Sequence, residues 1–344
     1  MQLSDFTYDL PLDRIAQTPA EPRDHARLML VNRATGEISH HHVYDLTTAL
    51  PKHYDVIANN TKVFPARLRG IKPTGGKVEI LLLSPLGSSR YHCLTRPGLK
   101  LGDTVTFGPT LTGTITQVKE MERTIQFSQE EATLRTTLSE LGTMPTPPYI
   151  KKMLIDQSRY QTIYAKYGFS AAAPTAGLHF TPSLLKTIKQ DHTWSELTLN
   201  VGLGTFLPVK VQDITKHSMH SESYILSPTT VQTIKNSKTA GRKLLAIGTT
   251  TMRALEANPS LIAGSHSTSI FIYPPYQFKV VDALMTNFHL PESTLLMLVS
   301  AFCSAPNAGE KFTTFKDSLL GRAYTEAIRE NYRFFSFGDA MLIF

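Results

Sequence analysis

Residues 170–181 read SAAAPTAGLHFT, and residues 200–209 follow with a second glycine-containing segment, NVGLGTFLPV. The alanines and the glycine of the first segment let its backbone lie close to a bound molecule, and its proline fixes one φ angle. Thr181 followed by Pro182 is typical of a helix N-cap and first helical residue, so that helix would direct backbone donors toward the loop. The stretch predicts either a binding loop that presents His179 or a tightly packed loop whose histidine satisfies a buried carbonyl.

The 344-residue chain is long enough for two domains. Its hydrophobic fraction of 41% and mean hydropathy of -0.13 are those of an ordinary soluble protein, which argues against disordered and membrane-spanning classes. The opening MQLSDFTYDLPLDRIAQ has no apolar signal-peptide core, and the two cysteines, Cys93 and Cys303, lie far apart. We therefore expect a cytoplasmic protein in a reducing compartment, without a structural zinc site.

The charge balance is basic. The formal net charge is +7 although only 18% of the residues are charged, and the isoelectric point is near 9.2. Such a balance favours a polyanionic partner such as RNA. A merely basic surface gives the same composition, so both interpretations stay open here.

Short apolar runs alternate with glycine and proline turns in the first half of the chain. Regularly spaced runs of this kind predict a small all-β barrel or sandwich, which we place at residues 66–148. Its exit, MPTPPYI at residues 144–150, is a stiff proline-rich connector. Because mixed helix and strand patterns lie on both sides, we predict an α/β main domain with an inserted small all-β barrel domain. The main domain would be discontinuous, over residues 1–65 and 149–344, and catalytic.

Local patterns place further elements in the main domain. The hydrophobic periodicity predicts helices over 160–165, 181–190 and 295–302 and a strand over 269–273. An apolar strand at 244–247 runs into Gly-Thr-Thr and a helix, which is an anion-binding arrangement. On that last helix, Arg253 and Glu256 are spaced for an i,i+3 ion pair.

Several familiar motifs are absent from the sequence or incomplete. No GxxxxGK[ST] occurs, which argues against phosphate transfer of the P-loop kind. The segment HSMHSESY brings together His217, His220 and Glu222, but a histidine pair without a defined third ligand is weak evidence for a metal site. The GLG of residues 202–204 resembles part of a dinucleotide-binding or methyltransferase glycine loop. It runs into Thr-Phe-Leu-Pro rather than a helix, which disfavours a Rossmann-type methyltransferase.

Motifs spread over nearly the whole chain resemble, in order, those of the S-adenosylmethionine:tRNA ribosyltransferase-isomerase family of queuosine biosynthesis. They are IAQTPAEPRDHARLM, NNTKVFPARL, MPTPPYI, RYQTIYA, AAAPTAGLHFT, VGLGTFLPV, HSMHSESY, IGTTTMRALE and VDALMTNFHLPESTLLMLVSAF. Departures from the family's pattern, at residues 169–171 and 241–242, are small. They touch neither His179 nor the TNFHLP turn.

The resemblance implies a particular reaction. The co-substrate is S-adenosylmethionine, whose ribosyl part is transferred to 7-aminomethyl-7-deazaguanine (preQ1) at the tRNA wobble position and isomerised. The products are epoxyqueuosine, adenine and methionine. The resemblance implies no metal. The chemistry needs a base that removes a proton from C5′, an acid for the departing adenine and a neutral attacking amine. Histidine titrates in the useful range. The catalytic candidates are His179, His220 and His289, with Glu222 as an orienting or basic partner.

Candidates for binding the co-substrate follow from the same resemblance. A sulfonium favours aromatic faces, for which Tyr164, Phe180 and Phe206 are candidates. Hydroxyl and guanidinium donors are candidates to hold the methionine carboxylate or an RNA phosphate. The complete predicted set is Thr175, Gly177, Phe180, Gly202, Gly204, Thr205, Thr249, Thr250 and Arg253.

The implied macromolecular partner is a tRNA with a GUN anticodon carrying preQ1. Its target base would be splayed out of the anticodon loop. We expect the protein that binds it to be a monomer. The predicted RNA-binding residues are Arg23, Arg27, Lys62, Arg67 and Arg69. Two other classes of protein remain as alternatives. An RNA methyltransferase would release S-adenosylhomocysteine, whereas a non-catalytic RNA-binding module would bind tRNA without turnover.

Overall fold

The computed structural model of the protein describes residues 1–202 and 209–344. Gly204, Thr205 and Phe206, which the sequence analysis assigns to co-substrate binding, lie outside the described residues. Within them, strands β1 to β17 are Arg27–Val31, Ile38–His42, Tyr54–Asn59, Thr61–Val63, Arg67–Ile71, Lys77–Gly87, Arg90–Arg96, Thr104–Phe107, Leu111–Lys119, Glu122–Phe127, Tyr167–Ser170, Trp194–Leu199, Glu222–Leu226, Lys243–Ile247, Gly264–Thr268, Ala283–Asn287 and Ala340–Ile343. Helices α1 to α7 in the same ranges are Leu46–Ala49, Glu131–Leu141, Pro182–Asp191, Pro228–Thr239, Thr249–Glu256, Thr294–Phe302 and Leu319–Arg329.

The main sheet contains nine strands of the described ranges, in the order β15-β13-β12-β3-β14-β16-β17-β1-β2. Its centre is parallel, because β3 pairs in parallel with β12 and β14, and β14 with β16. Every residue of β3 is buried, as expected for a parallel strand covered on both faces. The carboxyl ends of the four parallel strands therefore meet at one edge of the sheet, where α/β proteins bind ligands.

Six further strands of the described residues close into an antiparallel barrel in the order β10-β7-β6-β5-β8-β9. The barrel confirms the predicted fold class, an α/β domain with a small all-β barrel. Arg67 and Thr143 exchange backbone hydrogen bonds of 3.1 and 2.9 Å where the chain enters and leaves it. Ends this close together are what an inserted unit requires. The boundaries at residues 66 and 148 stay a prediction.

Helix α2, which follows the last barrel strand, was not predicted. It buries Leu134 and Leu138, one helical turn apart, in the barrel's core, and its other residues are largely polar. Two apolar positions are too few for a helical period to stand out in a sequence rich in threonine.

Three predicted helices are confirmed because their signals are local. Thr181 Oγ1 accepts a hydrogen bond of 3.2 Å from the Leu184 N–H at the start of α3, and Ser293 Oγ accepts one of 3.2 Å from Leu296 at the start of α6. Helix α5 begins directly after β14 and the glycine turn, as the Gly-Thr-Thr pattern predicts. In each case residues next to the helix determine where it begins.

The helix predicted over residues 160–165 is wrong. The structure has only a 3-10 turn at Gln157–Tyr160, after which the chain is irregular. The Arg23 guanidinium donates to the carbonyl oxygens of Ser158 and Gln161, at 3.1 and 2.8 Å. The Gln161 side chain in turn pairs with both backbone groups of Val63. Arg23 therefore takes up the Gln161 carbonyl, which a helix over 160–165 would use for its own hydrogen bond, and Val63 holds the Gln161 side chain.

The strand predicted over 269–273 is also wrong, because β15 lies just before it and ends at Thr268. The Thr268 hydroxyl accepts a hydrogen bond of 3.0 Å from the Ile270 N–H, which turns the chain out of the sheet. The helices of the described ranges include none with the length and apolarity needed to cross a membrane.

Candidate active site

A cleft lies at the carboxyl edge of the parallel strands, with an empty volume of about 710 Å³. Three turns supply most of its wall, at residues 172–176, 248–250 and 286–290. The first belongs to the small-residue stretch, the second follows β14, and the third ends β16. None of the described residues that line the cleft is Asp, Glu, Lys or Arg.

The second turn presents the start of α5 to the cleft. Gly248 has φ +88°, a left-handed conformation that favours glycine, and it precedes the first helical residue. The first N–H groups of a helix have no partner within the helix, and they carry a partial positive charge. Thr250 Oγ1 is buried without a hydrogen-bond partner, and Thr249 and Thr250 both line the cleft. This end of the cleft is therefore suited to a carboxylate or another anionic group.

The third turn holds His289. Its Nε2 lies 2.9 Å from Thr286 Oγ1, and its backbone N–H donates to Tyr324 Oη at 2.8 Å. Tyr8 Oη donates to the His289 carbonyl oxygen, so both backbone groups of the histidine are fixed. Burial lowers the pKa of His289 from 6.5 to about 3. The imidazole is therefore neutral at physiological pH.

The predicted catalytic residue His179 lies behind the cleft rather than in its wall. Its Nε2 is 3.1 Å from Nδ2 of Asn287, which does line the cleft. Burial, with the nearby charges of Arg333 and Arg23, lowers the His179 pKa to about 3. The histidine is thus a neutral partner of Asn287.

Asn287 is a site residue for which the sequence analysis named no role. Its Nδ2 also lies 3.2 and 3.3 Å from the carbonyl oxygens of Phe335 and Asp339, which fixes the amide's orientation. Its Oδ1 is buried and has no partner among the described residues. The TNFHLP turn pointed to this asparagine, but only the structure shows a free acceptor in the cleft wall.

The aromatic lining of the cleft differs from the prediction. Tyr164 and Phe180 pack edge-on against each other and against Trp194 in the core, and neither lines the cleft. Among the residues that the structure describes, Tyr149, Tyr160, Phe288 and Phe335 supply its aromatic lining. Tyr149 was visible in the connector MPTPPYI, but nothing in the C-terminal sequence around Phe335 distinguished it from a core residue.

Tyr149 and Phe335 form one aromatic wall of the cleft, with ring centroids 4.8 Å apart. Tyr149 Oη is 2.7 Å from Ser336 Oγ, and burial raises the pKa of Tyr149 to about 12. The phenol therefore stays neutral at physiological pH. An uncharged aromatic ring offers an electron-rich face to a cation.

The predicted glycine sites have different roles. Thr175 lines the cleft, but Gly177 does not, because it packs beneath Tyr164: a Cβ at this position would overlap the Tyr164 hydroxyl. Gly202 lies beside Glu222, whose Oε1 accepts a hydrogen bond of 3.1 Å from the Gly202 N–H. The structure therefore explains Gly177 by packing and not by contact with a ligand.

Arg253 pairs with Glu222 rather than with Glu256. The Arg253 Nη1 to Glu222 Oε2 distance is 2.6 Å, and both side chains are buried. Glu256 instead accepts backbone hydrogen bonds of 2.9 Å from Lys279, Val280 and Val281. Arg253 and Glu256 do lie on one helix with i,i+3 spacing, but each side chain bonds to partners from another segment of the chain.

The histidine segment before β13 does not form a joint site with the cleft. His220 is exposed, and His217 packs against the Phe271 ring at 5.2 Å between centroids. Glu222 is engaged by Arg253. The described ranges contain no group of three or more His, Cys, Asp or Glu side chains placed to hold a metal ion.

Two of the predicted RNA-binding arginines serve the fold. Arg23 donates to three carbonyl oxygens, and Arg27 lies 3.8 Å above the Tyr332 ring while donating to the Glu330 carbonyl. Lys62 and Arg69 are exposed. Arg67 donates to the Thr146 carbonyl at 3.0 Å and faces Glu79. Of the five, Lys62 and Arg69 are the most accessible to a polyanion.

Comparison with known proteins gives one consistent result. The family described as "Queuosine biosynthesis protein" matches residues 3–343. Proteins named S-adenosylmethionine:tRNA ribosyltransferase-isomerase from Moorella thermoacetica and Symbiobacterium thermophilum are 46% and 47% identical to this chain, each over 100% of both chains. A crystal structure of S-adenosylmethionine tRNA ribosyltransferase from Thermotoga maritima is 34% identical, with a TM-score of 0.56 over 99% of this chain and 100% of that one. With a full-length match, a shared fold and a cleft at the expected sheet edge, the chain belongs to the queuosine biosynthesis protein family.

Proposed function

We propose that this protein is an S-adenosylmethionine:tRNA ribosyltransferase-isomerase. It transfers the ribosyl part of S-adenosylmethionine to preQ1 at the tRNA wobble position and isomerises it, yielding epoxyqueuosine, adenine and methionine. The observation that carries the proposal is the cleft itself. One uncharged cavity combines a helix start with a free threonine hydroxyl, an aromatic wall and a neutral histidine.

These features suit the parts of S-adenosylmethionine. The start of α5, with the Thr249 and Thr250 hydroxyls, would hold the methionine carboxylate. The wall of Tyr149 and Phe335 offers ring faces to the sulfonium or to adenine. The free Oδ1 of Asn287 is an acceptor for an exocyclic amine such as that of adenine.

His289 is the base that the geometry favours. It lines the cleft, whereas His179 lies behind Asn287 and His220 is exposed elsewhere. The neighbouring sulfonium acidifies the C5′ proton, and the unprotonated imidazole accepts it while Thr286 and Tyr324 orient the histidine. Nothing in these steps calls for a metal ion.

The proposed partner is a cytoplasmic tRNA with a GUN anticodon, and the proposed active form is a monomer. The basic net charge of +7 supports a polyanionic substrate. Access to the wobble base requires that the base leave the loop's stack, as in other enzymes that act on a nucleobase.

Mass spectrometry of the products tests the proposal. The purified protein is incubated with S-adenosylmethionine and tRNA that carries preQ1. We expect free adenine and methionine in equal amounts, with a matching mass gain on the wobble nucleoside. S-adenosylhomocysteine with a methyl-sized gain would instead make the protein a methyltransferase, and tRNA binding without any product would make it a binding module.

A further inference from the structure

A second cavity, the barrel groove, opens between the barrel and the main domain, with an empty volume of about 1300 Å³. We define it by the lining side chains Lys62, Phe64, Arg135 and Phe169. The Phe64 and Phe169 rings are stacked, with centroids 4.4 Å apart and planes 28° apart, and both side chains are partly exposed. Stacked, accessible aromatic rings are unusual for a surface that only meets water.

The backbone is built to present Phe169 in this groove. Strands β4 and β11 pair in parallel, but three steps of β11, from Tyr167 to Ser170, face only two of β4, from Thr61 to Val63. The extra residue is a bulge, a device that redirects a side chain. Gly168 makes the bulge possible: its φ is +102°, and a Cβ there would lie 2.8 Å from Thr61 Oγ1. The position of Phe169 therefore depends on an irregularity that a plain strand pair would not need.

The charge of the groove is positive. The Lys62 side chain is exposed and its ammonium group has no hydrogen bond or ion pair with the described residues, so it is available. Arg135 adds a second cation, partly balanced by Glu131 at 3.3 Å. Among the described residues that line the groove, none is acidic. Cations beside stacking faces are the combination that binds single-stranded nucleic acid.

The groove and the active-site cleft lie close together along the chain. Phe169 lines the groove and Ala172 the cleft, three residue steps apart, which is at most about 10 Å of chain. Asn200 lines the groove and its neighbour Val201 the cleft. Two chain segments therefore pass directly from one cavity to the other.

We propose that the barrel groove binds the RNA nucleotide next to the one that reacts, stacking its base on Phe169 and holding its phosphate with Lys62. The inference rests on the proposed function, because it takes the reacting nucleotide to lie in the cleft. It adds a base-stacking subsite formed by Phe64 and Phe169. Arg135 provides a second phosphate contact from the barrel side.

The test measures affinity for a fluorescently labelled anticodon stem-loop RNA, without turnover. Phe169→Leu keeps an apolar side chain but removes the ring, and we expect about a tenfold loss of affinity. Phe169→Tyr keeps the ring face and should bind within about twofold of wild type. Lys62→Ala should make the dependence of log affinity on log salt shallower by about 0.7, the value for one phosphate contact on a single strand. Lys235→Ala, which removes an exposed lysine on α4, is the matched control and should change neither quantity.

The outcomes separate this proposal from the proposed reaction. Thermal unfolding and S-adenosylmethionine binding report whether each variant keeps its fold and cleft. Wild-type RNA affinity in a folded Phe169→Leu protein, or an unchanged salt slope in Lys62→Ala, would overturn the groove assignment. Equal competition by a blunt RNA duplex would do the same, because a duplex has no unstacked base to offer. If the variants lose RNA affinity while the wild type forms no adenine, the groove stands and the proposed reaction falls.

Discussion

His179 and His289 have the same lowered pKa but different surroundings. Burial keeps both imidazoles neutral, with pKa values of about 3. Only His289 lines the cleft, whereas His179 contacts it through Asn287. Both are candidates because the implied reaction needs a base and histidine titrates in the useful range, but the sequence cannot show which of two loop histidines faces a cavity.

Substitution of the two histidines tests this distinction. We expect His289→Ala to lower kcat by at least about a hundredfold, the typical contribution of a general base, with S-adenosylmethionine affinity nearly unchanged. His179→Ala frees the Asn287 amide, so it should weaken S-adenosylmethionine binding as well as turnover. His220→Ala, at an exposed position, is the control. Full activity in His289→Ala would remove this residue from the catalytic list.

Thr250 offers a test in which stability and binding change differently. Thr250→Val removes a buried hydroxyl that has no partner, so the free energy of unfolding should stay within about 1 kcal/mol of wild type or rise. Affinity for S-adenosylmethionine should fall about tenfold, because a hydrogen bond to a charged group is lost. Calorimetric titration and urea unfolding measure the two quantities.

Thr251→Val is the matched control on the same helix. Thr251 Oγ1 donates to the Ile247 carbonyl at 2.7 Å, so its loss should lower stability and leave co-substrate affinity unchanged. If Thr250→Val loses stability and keeps its affinity, the hydroxyl serves the fold and the anion site at α5 is wrong.

The buried histidines also predict how stability depends on pH. Each has a folded-state pKa of about 3, below the unfolded value of 6.5, so protonation favours the unfolded chain. Their contribution is complete above pH 6.5 and is lost as the pH falls toward 3, at up to about 1.4 kcal/mol per pH unit for each histidine. Urea unfolding at pH 7, 6 and 5 measures this slope. A His179→Asn variant should show a shallower slope than the exposed-site control His53→Asn, and equal slopes would contradict neutral burial of His179.

At the scale of elements, the small-residue stretch 170–181 divides between the cleft and the core. Residues 172–176 line the cleft, and the 3-10 turn Thr175–His179, which begins within this range, continues into the core at Gly177, Leu178 and His179. Gly177 belongs to the packed part and lies under Tyr164. A Cβ added at Gly177 would lie 2.9 Å from Thr162 Cγ2. Part of the stretch therefore lines a cavity and part is packed in the core, and ligand binding by the first part stays a prediction.

Gly177→Ala should destabilise the protein by about 1–3 kcal/mol, because the added methyl group overpacks a filled site. Gly309→Ala is the matched control, since a Cβ there meets nothing within 4 Å and should change stability by less than about 0.5 kcal/mol. Thermal or urea unfolding of the two variants measures the difference. Equal stabilities would show that the loop adapts freely around Tyr164.

Elements whose signals are local were predictable, and those that depend on distant partners were not. Helices α3, α5 and α6 follow from caps and glycine turns next to them. Residues 160–165 have a helical pattern, but Arg23 and Val63 hold their polar groups. The strand of residues 38–42 was missed because its ISHHH sequence carries little apolar alternation.

At the scale of the whole molecule, the barrel was predictable because its short strands and turns repeat along one section of the chain. Its closure, and the groove it forms with the main domain, were not, since they depend on how Phe64, Tyr91 and Phe169 meet across separate elements. The entry and exit of the chain lie together at Arg67 and Thr143, so the barrel projects from one point beside the cleft.

The central claim is that S-adenosylmethionine binds at the carboxyl edge of the parallel strands, and a crystal structure of the complex tests it most directly. We expect the methionine carboxylate at the start of α5, within hydrogen-bond distance of Thr250 Oγ1, and the C5′ atom facing His289. The same crystal form without the ligand is the control for the density. Ligand bound elsewhere, with the cleft between Thr250 and His289 still empty, would contradict the account.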